Sequence, residues 1–244
     1  MAVKARTSLA TAIEEVAARD PALAHLVALV GPIGYGPRNA DGHFGALVRA
    51  IVFQQLAGRA AEAILRRVVA AVTGELSPDA LAAAPDEALR AAGLSANKLA
   101  SLRDLSAKVL DGTLDLTTSS RKSDEEIIAS LETVRGIGRW TAEMYLMFEL
   151  CRLDVWPVDD FGVRQGYGLA WGIDPPPTAR ELLPLEPRPS HRAAPSAAGL
   201  RDSARISPGG RLSGAVRNIA IGLASRLPSV VGKDVAAQRT NAAH

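Results

Sequence analysis

The stretch 131–160 carries residues whose types and spacing suit anion binding and catalysis: a glycine-bearing bend, a tryptophan and a pair of aspartates. Gly136 and Gly138 form the bend between two apolar helical patterns, and glycine permits backbone conformations that are closed to other residues. Together with the amides of Trp140 and Thr141, the bend can converge on a phosphate, because the N-terminal end of a helix favours an anion. A turn that only reverses the chain is the alternative, and the glycines alone do not decide between the two.

The two aspartates, Asp159 and Asp160, follow an extended segment over 155–158. A fixed carboxylate can stabilise a positive charge that develops during a reaction, or it can orient a water. The alternative is a helix N-cap before Phe161. Both interpretations hold together if one aspartate caps the helix while the other reacts.

Helices are the elements predicted to position these residues. Apolar residues recur at three- and four-residue spacing over 44–52, which predicts a helix that ends at 54–56 with Gln55 on its apolar face. Further helices are predicted over 60–72 and 96–110. The polar residues of the 96–110 helix are expected to point largely outward: Lys98, Arg103, Asp104 and Lys108.

The fold class is predicted to be all-α, because the helix before the bend starts with a capping box, Ser123-x-x-Glu126, and no strand-like alternation appears.

Length and composition limit the class of protein. The 244 residues are 48% apolar, and no run is long enough to span a membrane. Cys151 is the single cysteine and the four histidines are scattered, which excludes a disulfide framework and a four-cysteine metal cluster within one chain. A cytoplasmic location is expected, because no secretory signal is present.

Charge is distributed unevenly along the chain. The net charge is +2, yet nine of the 28 Lys and Arg, and only two of the 26 Asp and Glu, lie from Pro187 onward. The first 186 residues are therefore net acidic. This counts against nonspecific coating of a nucleic acid and favours local, placed contacts.

The order of motifs resembles the helix–hairpin–helix DNA glycosylases, and in particular the 3-methyladenine DNA glycosylase II branch. The stretch LETVRGIGRWTA lies between two helices and is followed about twenty residues on by VDD; FQQLA at 53–57 and GLSxxK at 93–98 also match. The resemblance covers about 41–184. It implies a two-lobed all-α fold with the hairpin motif at about 124–150 and a cleft between the lobes. The N-terminal β domain of some relatives is not expected, because about forty residues precede the first matching helix.

The resemblance also assigns roles to the aspartate and the tryptophan. Asp160 is the implied catalytic residue, because it lies twenty positions after the hairpin tryptophan. Bifunctional relatives that cut the strand have a lysine where this chain has Trp140, so a monofunctional, hydrolytic enzyme is expected without a Schiff base. The tryptophan face also suits an electron-poor alkylated base, although an ordinary core aromatic remains the alternative.

The remaining implied site residues fall into three groups. The base pocket would contain Gln55, Met144 and Tyr145 together with Trp140. The DNA contacts would come from Gly136, Gly138, Arg139 and Thr141, with Leu56 as a wedge that fills the gap left by a flipped base; a buried Leu at a helix end is the alternative for Leu56. No cofactor is expected to be required, but the carbonyls of Glu132, Val134 and Ile137 could bind a monovalent cation, Na⁺ or K⁺.

Two segments are predicted: a helical glycosylase domain, 1–186, and an atypical C-terminal tail, 187–244, that is disordered or the product of a frameshift. The family continues with an R-P-Y-R-like segment and a helix carrying A-A-W-Y, whereas Arg188–Pro195 reads RPSHRAAP, and no aromatic residue follows Trp171. Either the reading frame has shifted near Pro187 or the tail has diverged.

The predicted function is hydrolytic removal of alkylated bases, 3-methyladenine or 7-methylguanine, from double-stranded DNA by a monomer that does not contact membranes. Two alternatives stay open. One is a noncatalytic helix–hairpin–helix DNA-binding protein, and the other is a glycosylase impaired by its altered C-terminus.

Overall fold

The computed structural model describes residues 8–19, 21–30, 41–72, 75–153, 155–171 and 173–183. These residues contain α-helices, one short 3-10 helix and no strand, which confirms the predicted all-α fold for the described part of the chain. None of the helices within these ranges is long and apolar enough to cross a membrane. The predicted division at residues 186 and 187, and the hypotheses about the tail, lie outside the described residues and stay predictions.

The chain divides into two units, which are described separately. The first, here called the hairpin unit, is Gly36–Arg152. Its helices, in chain order, are α3 (Gly42–Phe53), α4 (Gly58–Ala71), α5 (Pro78–Ala83), α6 (Asp86–Ala91), α7 (Ala96–Leu110), α8 (Asp124–Glu132) and α9 (Arg139–Phe148). The second, here called the split unit, joins Met1–Tyr35 to Leu153–His244. Its helices are α1 (Leu9–Arg19), α2 (Pro21–Val30), α10 (Phe161–Trp171) and α11 (Ala179–Leu182).

The core of the hairpin unit is built from the apolar faces that the periodicity predicts. The side chains of its helices that are fully enclosed include Leu47, Ile51, Leu102, Leu105 and Leu146. Helix α3 packs on α4, α7 and α9, and α7 also packs on α5 and α6. The helices α3 and α7 therefore hold the unit together and position the segments that connect it.

Local capping explains where several helices begin. The Ser95 hydroxyl accepts the Lys98 amide at the start of α7, and Ser123 and Glu126 form the predicted capping box of α8. At the other end of α3, the chain leaves the helix at Gln54 (ψ 130°), and Gln55 follows with φ +56°. The prediction that Gln55 continues the apolar face of α3 is therefore wrong, because the residue lies beyond the helix and is exposed.

The split unit is organised by aromatic contacts. Tyr167 stacks on Trp171 with ring centroids 4.3 Å apart, and the ring of Trp156 meets Tyr167 edge-on at 6.5 Å. The Trp156 indole donates a hydrogen bond to the carbonyl of Leu182 at 3.2 Å, and Val158 is buried in the same cluster. Helix α10 also contacts α2, so residues from both ends of the described chain form this unit.

Candidate nucleic-acid interface and catalytic carboxylate

The hairpin bend requires glycine at Gly136 for two reasons. Its φ of +78° lies in the left-handed region, and a Cβ there would come within 2.6 Å of the Ser101 hydroxyl on α7. Gly138 is different: its backbone is extended (φ −104°, ψ 177°) and a Cβ would meet nothing within 4 Å. The prediction that both glycines need conformations closed to other residues is thus right for Gly136 and wrong for Gly138.

Gly138 is the N-cap of α9, so the bend leads directly into the start of a helix. The first turn of an α-helix has amides without acceptors inside the helix, which is the geometry that binds anions. Thr141 is buried, and the contact of its amide with DNA stays a prediction.

Arg139, expected to contact DNA, is engaged by two carboxylates. Its guanidinium lies 2.7 Å from Glu125 and 3.1 Å from Glu143, and the hydrogen bonds that it donates to Glu125, with the charges of both acids, raise the pKa of Arg139. The guanidinium therefore orders the start of α9 against α8. A phosphate at this position would compete with Glu125 for the same donors, and the DNA contact of Arg139 stays a prediction.

Helix α9 presents an apolar face beyond the bend. Trp140 is 45% exposed, Met144 is half-buried one turn later, and Phe148 is 54% exposed another turn on. Residues four apart lie on one side of a helix, so these three side chains form a continuous strip. The exposure of Trp140 argues against the core-aromatic alternative. Phe148 was missed by the motif comparison, although its four-residue spacing from Met144 is visible in the sequence.

Tyr145, expected in the same pocket, lies elsewhere. It is buried, its ring meets His43 edge-on at 6.0 Å, and burial strongly raises its pKa. It also lines a water-sized cavity of about 10 Å³ with Ser119. One residue along a helix turns the side chain by about 100°, which takes Tyr145 away from the face of Met144 and into the core.

The segment Gln54–Leu56, here called the wedge turn, connects α3 to α4. Leu56 is 39% exposed, so the alternative of a buried leucine at a helix end is wrong. The Gln54 side-chain amide donates to the carbonyl of Gly136 at 2.8 Å, which joins the wedge turn to the hairpin bend. Gln55, predicted to line the base pocket, is exposed in this turn with a left-handed backbone, and its role stays a prediction.

The polar residues of α7 bind neighbouring segments, so the prediction that they point outward is wrong. The Lys98 ammonium donates to the carbonyls of Val52 and Gln54 at 2.8 Å each, and burial lowers the pKa of Lys98. The Arg103 guanidinium donates to backbone carbonyls of α5, including that of Leu81, and to Asp86.

Asp104 and Lys108 hold the bend itself. The Asp104 carboxylate accepts the amide of Arg135 at 2.7 Å and the ammonium of Lys108 at 2.7 Å. Burial opposes its ionisation, but these hydrogen bonds outweigh burial and lower the pKa of Asp104. Lys108 also donates to the carbonyl of Thr133 at 2.8 Å. Two charged side chains thus fix both an amide and a carbonyl of the hairpin.

The carbonyls expected to bind a monovalent cation lie on this bend. The Val134 carbonyl accepts the amide of Ile137 at 3.0 Å, and a carbonyl oxygen has a second lone pair for a cation. This contact concerns Val134 alone, and a monovalent cation at the carbonyls of Glu132, Val134 and Ile137 stays a prediction. Within the described ranges, no group of three or more His, Cys, Asp or Glu side chains could hold a metal ion.

Asp160 belongs to the split unit, where it caps α10. Its Oδ1 accepts the amide of Val163 at 2.8 Å, and its own amide donates to the carbonyl of Pro157 at 3.0 Å. A Cβ at Gly162 would lie only 3.1 Å from that oxygen. The capping interpretation and the catalytic interpretation therefore fall on the same residue, and Asp159 is exposed beside it.

The sequence that forms these elements matches a known family. Residues 48–184 match the model of the HhH-GPD superfamily base excision DNA repair proteins, which covers more than half of the chain. The chain belongs to this superfamily. The predicted family is therefore confirmed, and the hairpin between α8 and α9 is the helix–hairpin–helix that gives the superfamily its name.

Individual relatives are similar over most of their length. DNA-3-methyladenine glycosylase 1 of Schizosaccharomyces pombe is 35% identical over 183 residues, which is 72% of this chain and 79% of that protein. The crystal structure of DNA-3-methyladenine glycosidase from Bacillus halodurans is 36% identical with a TM-score of 0.64, over 70% of this chain and 78% of that one. The structure of the S. pombe 3-methyladenine DNA glycosylase in complex with abasic DNA is 34% identical with a TM-score of 0.62, over 70% of this chain and 85% of that one.

Proposed function

We propose that this superfamily member is a monofunctional DNA glycosylase that hydrolyses the N-glycosidic bond of alkylated bases, 3-methyladenine and 7-methylguanine, in duplex DNA. The observation that carries the proposal is the exposed Trp140 in the first turn of α9, directly after the hairpin bend. An indole has no amine that could attack the sugar, which favours hydrolysis. The relatives named 3-methyladenine glycosylases support the substrate class. We expect the enzyme to act as a monomer in the compartment that holds the chromosome, the cytosol of a bacterium.

In this proposal, the strip formed by Trp140, Met144 and Phe148 receives the flipped base. An alkylated base is electron-poor and often cationic, so stacking on the indole gains both dispersion and cation–π attraction. Each stacked base contributes about 1–3 kcal/mol in comparable sites. The base is thus selected by its electron deficiency as much as by its shape.

Asp160 acts on the sugar. As the bond between C1′ and the base nitrogen breaks, its electron pair leaves with the base, and positive charge develops on the sugar. The carboxylate stabilises that charge and orients the water whose oxygen bonds to C1′, while the water's proton is released. The hydrogen bond from Val163 to Oδ1 fixes the orientation of the carboxylate before the substrate arrives.

The hairpin holds the DNA backbone by the amides of Gly136, Gly138 and Thr141, without reading the sequence. A monovalent cation at the carbonyls of Glu132, Val134 and Ile137 would add positive charge beside the phosphate. Measuring the melting temperature in KCl, NaCl and tetramethylammonium chloride at equal ionic strength tests that ion: stabilisation by K⁺ or Na⁺ supports it, and identical melting in all three contradicts it.

A noncatalytic DNA-binding protein is the second candidate, and the use of Asp160 as the α10 cap is the observation that favours it. A base-release assay on methylated duplex DNA separates the two candidates. We expect release by the wild-type chain and a loss of at least about a hundredfold in Asp160→Asn, which removes the charge stabilisation. Asparagine can still accept the Val163 amide, so α10 stays capped and DNA binding is retained.

Asp159→Asn is the matched control for this experiment, because it makes the same chemical change at the exposed neighbour. Its release rate is expected to stay near that of the wild type. Full activity in Asp160→Asn would contradict the assignment of the catalytic carboxylate. A wild-type chain that binds DNA but releases no base would favour the noncatalytic candidate.

A further inference from the structure

Helix α7 contacts both the wedge turn and the hairpin bend. Lys98 binds the carbonyls at the end of α3, and one turn later the Ser101 hydroxyl packs against Gly136. A further turn along, Asp104 accepts an amide of the bend. Because these three residues are spaced three apart, they share one side of the helix. The wedge turn and the bend are therefore seated side by side on one rigid element.

The position of Lys98 is explained by the wedge turn rather than by its own helix. It is the third residue of α7, where the positive end of the helix disfavours a cation. Its ammonium instead reaches the C-terminal end of α3, where carbonyls lack partners within that helix and carry partial negative charge. The two 2.8 Å hydrogen bonds, to Val52 and Gln54, are charge-assisted and hence among the stronger kind.

A second contact joins the wedge turn directly to the bend. The Gln54 side chain donates to the Gly136 carbonyl at 2.8 Å, across 82 positions of sequence. Between this contact and the exposed Leu56, the chain passes through Gln55 with φ +56°. A left-handed backbone at a non-glycine residue is strained and persists only where its surroundings hold it.

We propose that Lys98 and Gln54 are positioning residues that hold Leu56 at a fixed place relative to the hairpin bend. When the bend grips the DNA backbone, Leu56 is then already directed to the base step that it must open. The inference rests on the proposed function, which gives Leu56 its role as the wedge. Lys98 and Gln54 themselves touch neither the base nor the sugar.

Loss of the ammonium would leave the end of α3 without these two hydrogen bonds, and the wedge turn would sample other conformations. Ordering the turn would then be part of base flipping, so flipping would weaken. The grip of the bend on phosphates would not change, because it uses other atoms. The inference therefore separates two properties that a general loss of structure would reduce together.

The test compares Lys98→Met with Lys98→Arg and Lys122→Met. Methionine keeps the length and loses the charge, whereas arginine restores donors to the carbonyls. Lys122→Met makes the same charge change in the same unit at a lysine whose ammonium makes only a long hydrogen bond, 3.5 Å, to the Asp115 carbonyl. Three quantities are measured: affinity for undamaged duplex across a salt series, the fluorescence rise of 2-aminopurine at the flipped position, and the single-turnover rate of base release.

We expect Lys98→Met to lower the fluorescence rise and the release rate by roughly tenfold or more, because the variant loses two charge-assisted hydrogen bonds to the wedge turn. Duplex affinity and its salt dependence should match those of Lys122→Met. Lys98→Arg should recover most of the loss. In the Lys98→Met, Leu56→Ala double variant, the effect should be no larger than that of Leu56→Ala alone, because Lys98 acts through Leu56.

Wild-type fluorescence and release in Lys98→Met would overturn the inference. So would a shallower salt dependence, which would make Lys98 a phosphate contact, or additive losses in the double variant. Gln54→Met keeps the test valid if Lys98→Met does not fold, and is expected to weaken flipping in the same way. Failure of the proposed function is seen separately, as absence of base release by the wild type, while the fluorescence assay still reports whether Lys98 positions Leu56.

Discussion

Replacing Gly136 with alanine is expected to destabilise the protein by about 3 kcal/mol, because two separate costs add at this position. The left-handed backbone, φ +78°, is disfavoured for any residue with a Cβ. In addition, the new Cβ would stand 2.6 Å from the Ser101 hydroxyl and 3.5 Å from its Cβ, so the hydroxyl alone is too close.

The magnitude follows from these two terms. A left-handed alanine costs about 1–2 kcal/mol, and forcing an atom into occupied space typically costs about 1–3 kcal/mol. For a chain of this length, each kcal/mol lowers the melting temperature by about 2–4 °C, so a loss of roughly 6–12 °C is expected.

Gly138→Ala is the matched control, because it is the same substitution two residues away at an extended backbone with open space around it. Its melting temperature should stay within about 2 °C of the wild type, since unstrained surface changes are usually within ±0.5 kcal/mol. Thermal unfolding followed by circular dichroism gives both values.

The Ser101→Ala background separates the two terms. Without the hydroxyl, Gly136→Ala retains only its backbone cost, so the double-mutant cycle should show a coupling of about 1–3 kcal/mol. Equal melting temperatures of Gly136→Ala and Gly138→Ala, or a double-mutant cycle with no coupling free energy, would refute the reasoning that the bend packs directly against α7.

Three further predictions concern the base-binding strip, the core tyrosine and an acid titration. Trp140→Ala should slow base release by about 5- to 150-fold through lost stacking. Leu110→Ala, which removes an apolar side chain of similar exposure in the same unit, should not slow release; equal effects would contradict the role of the strip in binding the base. Tyr145→Phe should leave the release rate within about twofold of the wild-type rate, since removing the hydroxyl of a core residue leaves the face of Trp140 unchanged. A large loss of activity would indicate that Tyr145 does line the base pocket. Hydrogen bonds from Thr117 and Thr118 lower the pKa of Asp115 to about 2, so its contribution to stability is present above the usual pKa near 3.8 and is lost as pH falls towards 2. An NMR titration should find this midpoint, and Thr117→Val should raise it; a midpoint unchanged by that substitution would contradict the assigned cause.

The wedge turn and the α7 contacts show where local patterns stop being informative. Periodicity correctly located the apolar faces of α3 and α7, because burial of a helix face depends on residues three and four apart. The same pattern assigned Lys98 and Asp104 to the outside, since a charged side chain is usually solvated. Their partners are backbone groups of the wedge turn and the hairpin bend, 44 and 31 positions away, and no local pattern encodes such contacts.

Asp160 and Tyr145 illustrate the same limit in the site. The count from the hairpin tryptophan selected Asp160, but only the folded chain shows that this aspartate, rather than Asp159, caps α10. Tyr145 follows Met144 in sequence, so adjacency placed both in one pocket. Helical geometry separates them, with Tyr145 packed against His43 in the core.

The sequence by itself determined that the chain is helical, that a capping box starts α8, and that a tryptophan follows a glycine bend. Those properties depend on residues within a few turns of one another or on motif order. Only the tertiary structure decided that Gly136 needs glycine while Gly138 does not, because the reason is a serine 35 positions earlier in the chain whose hydroxyl fills the space of a Cβ. It also decided that the wedge turn and the bend share one support, because α7 brings together the polar groups of segments that are distant in sequence.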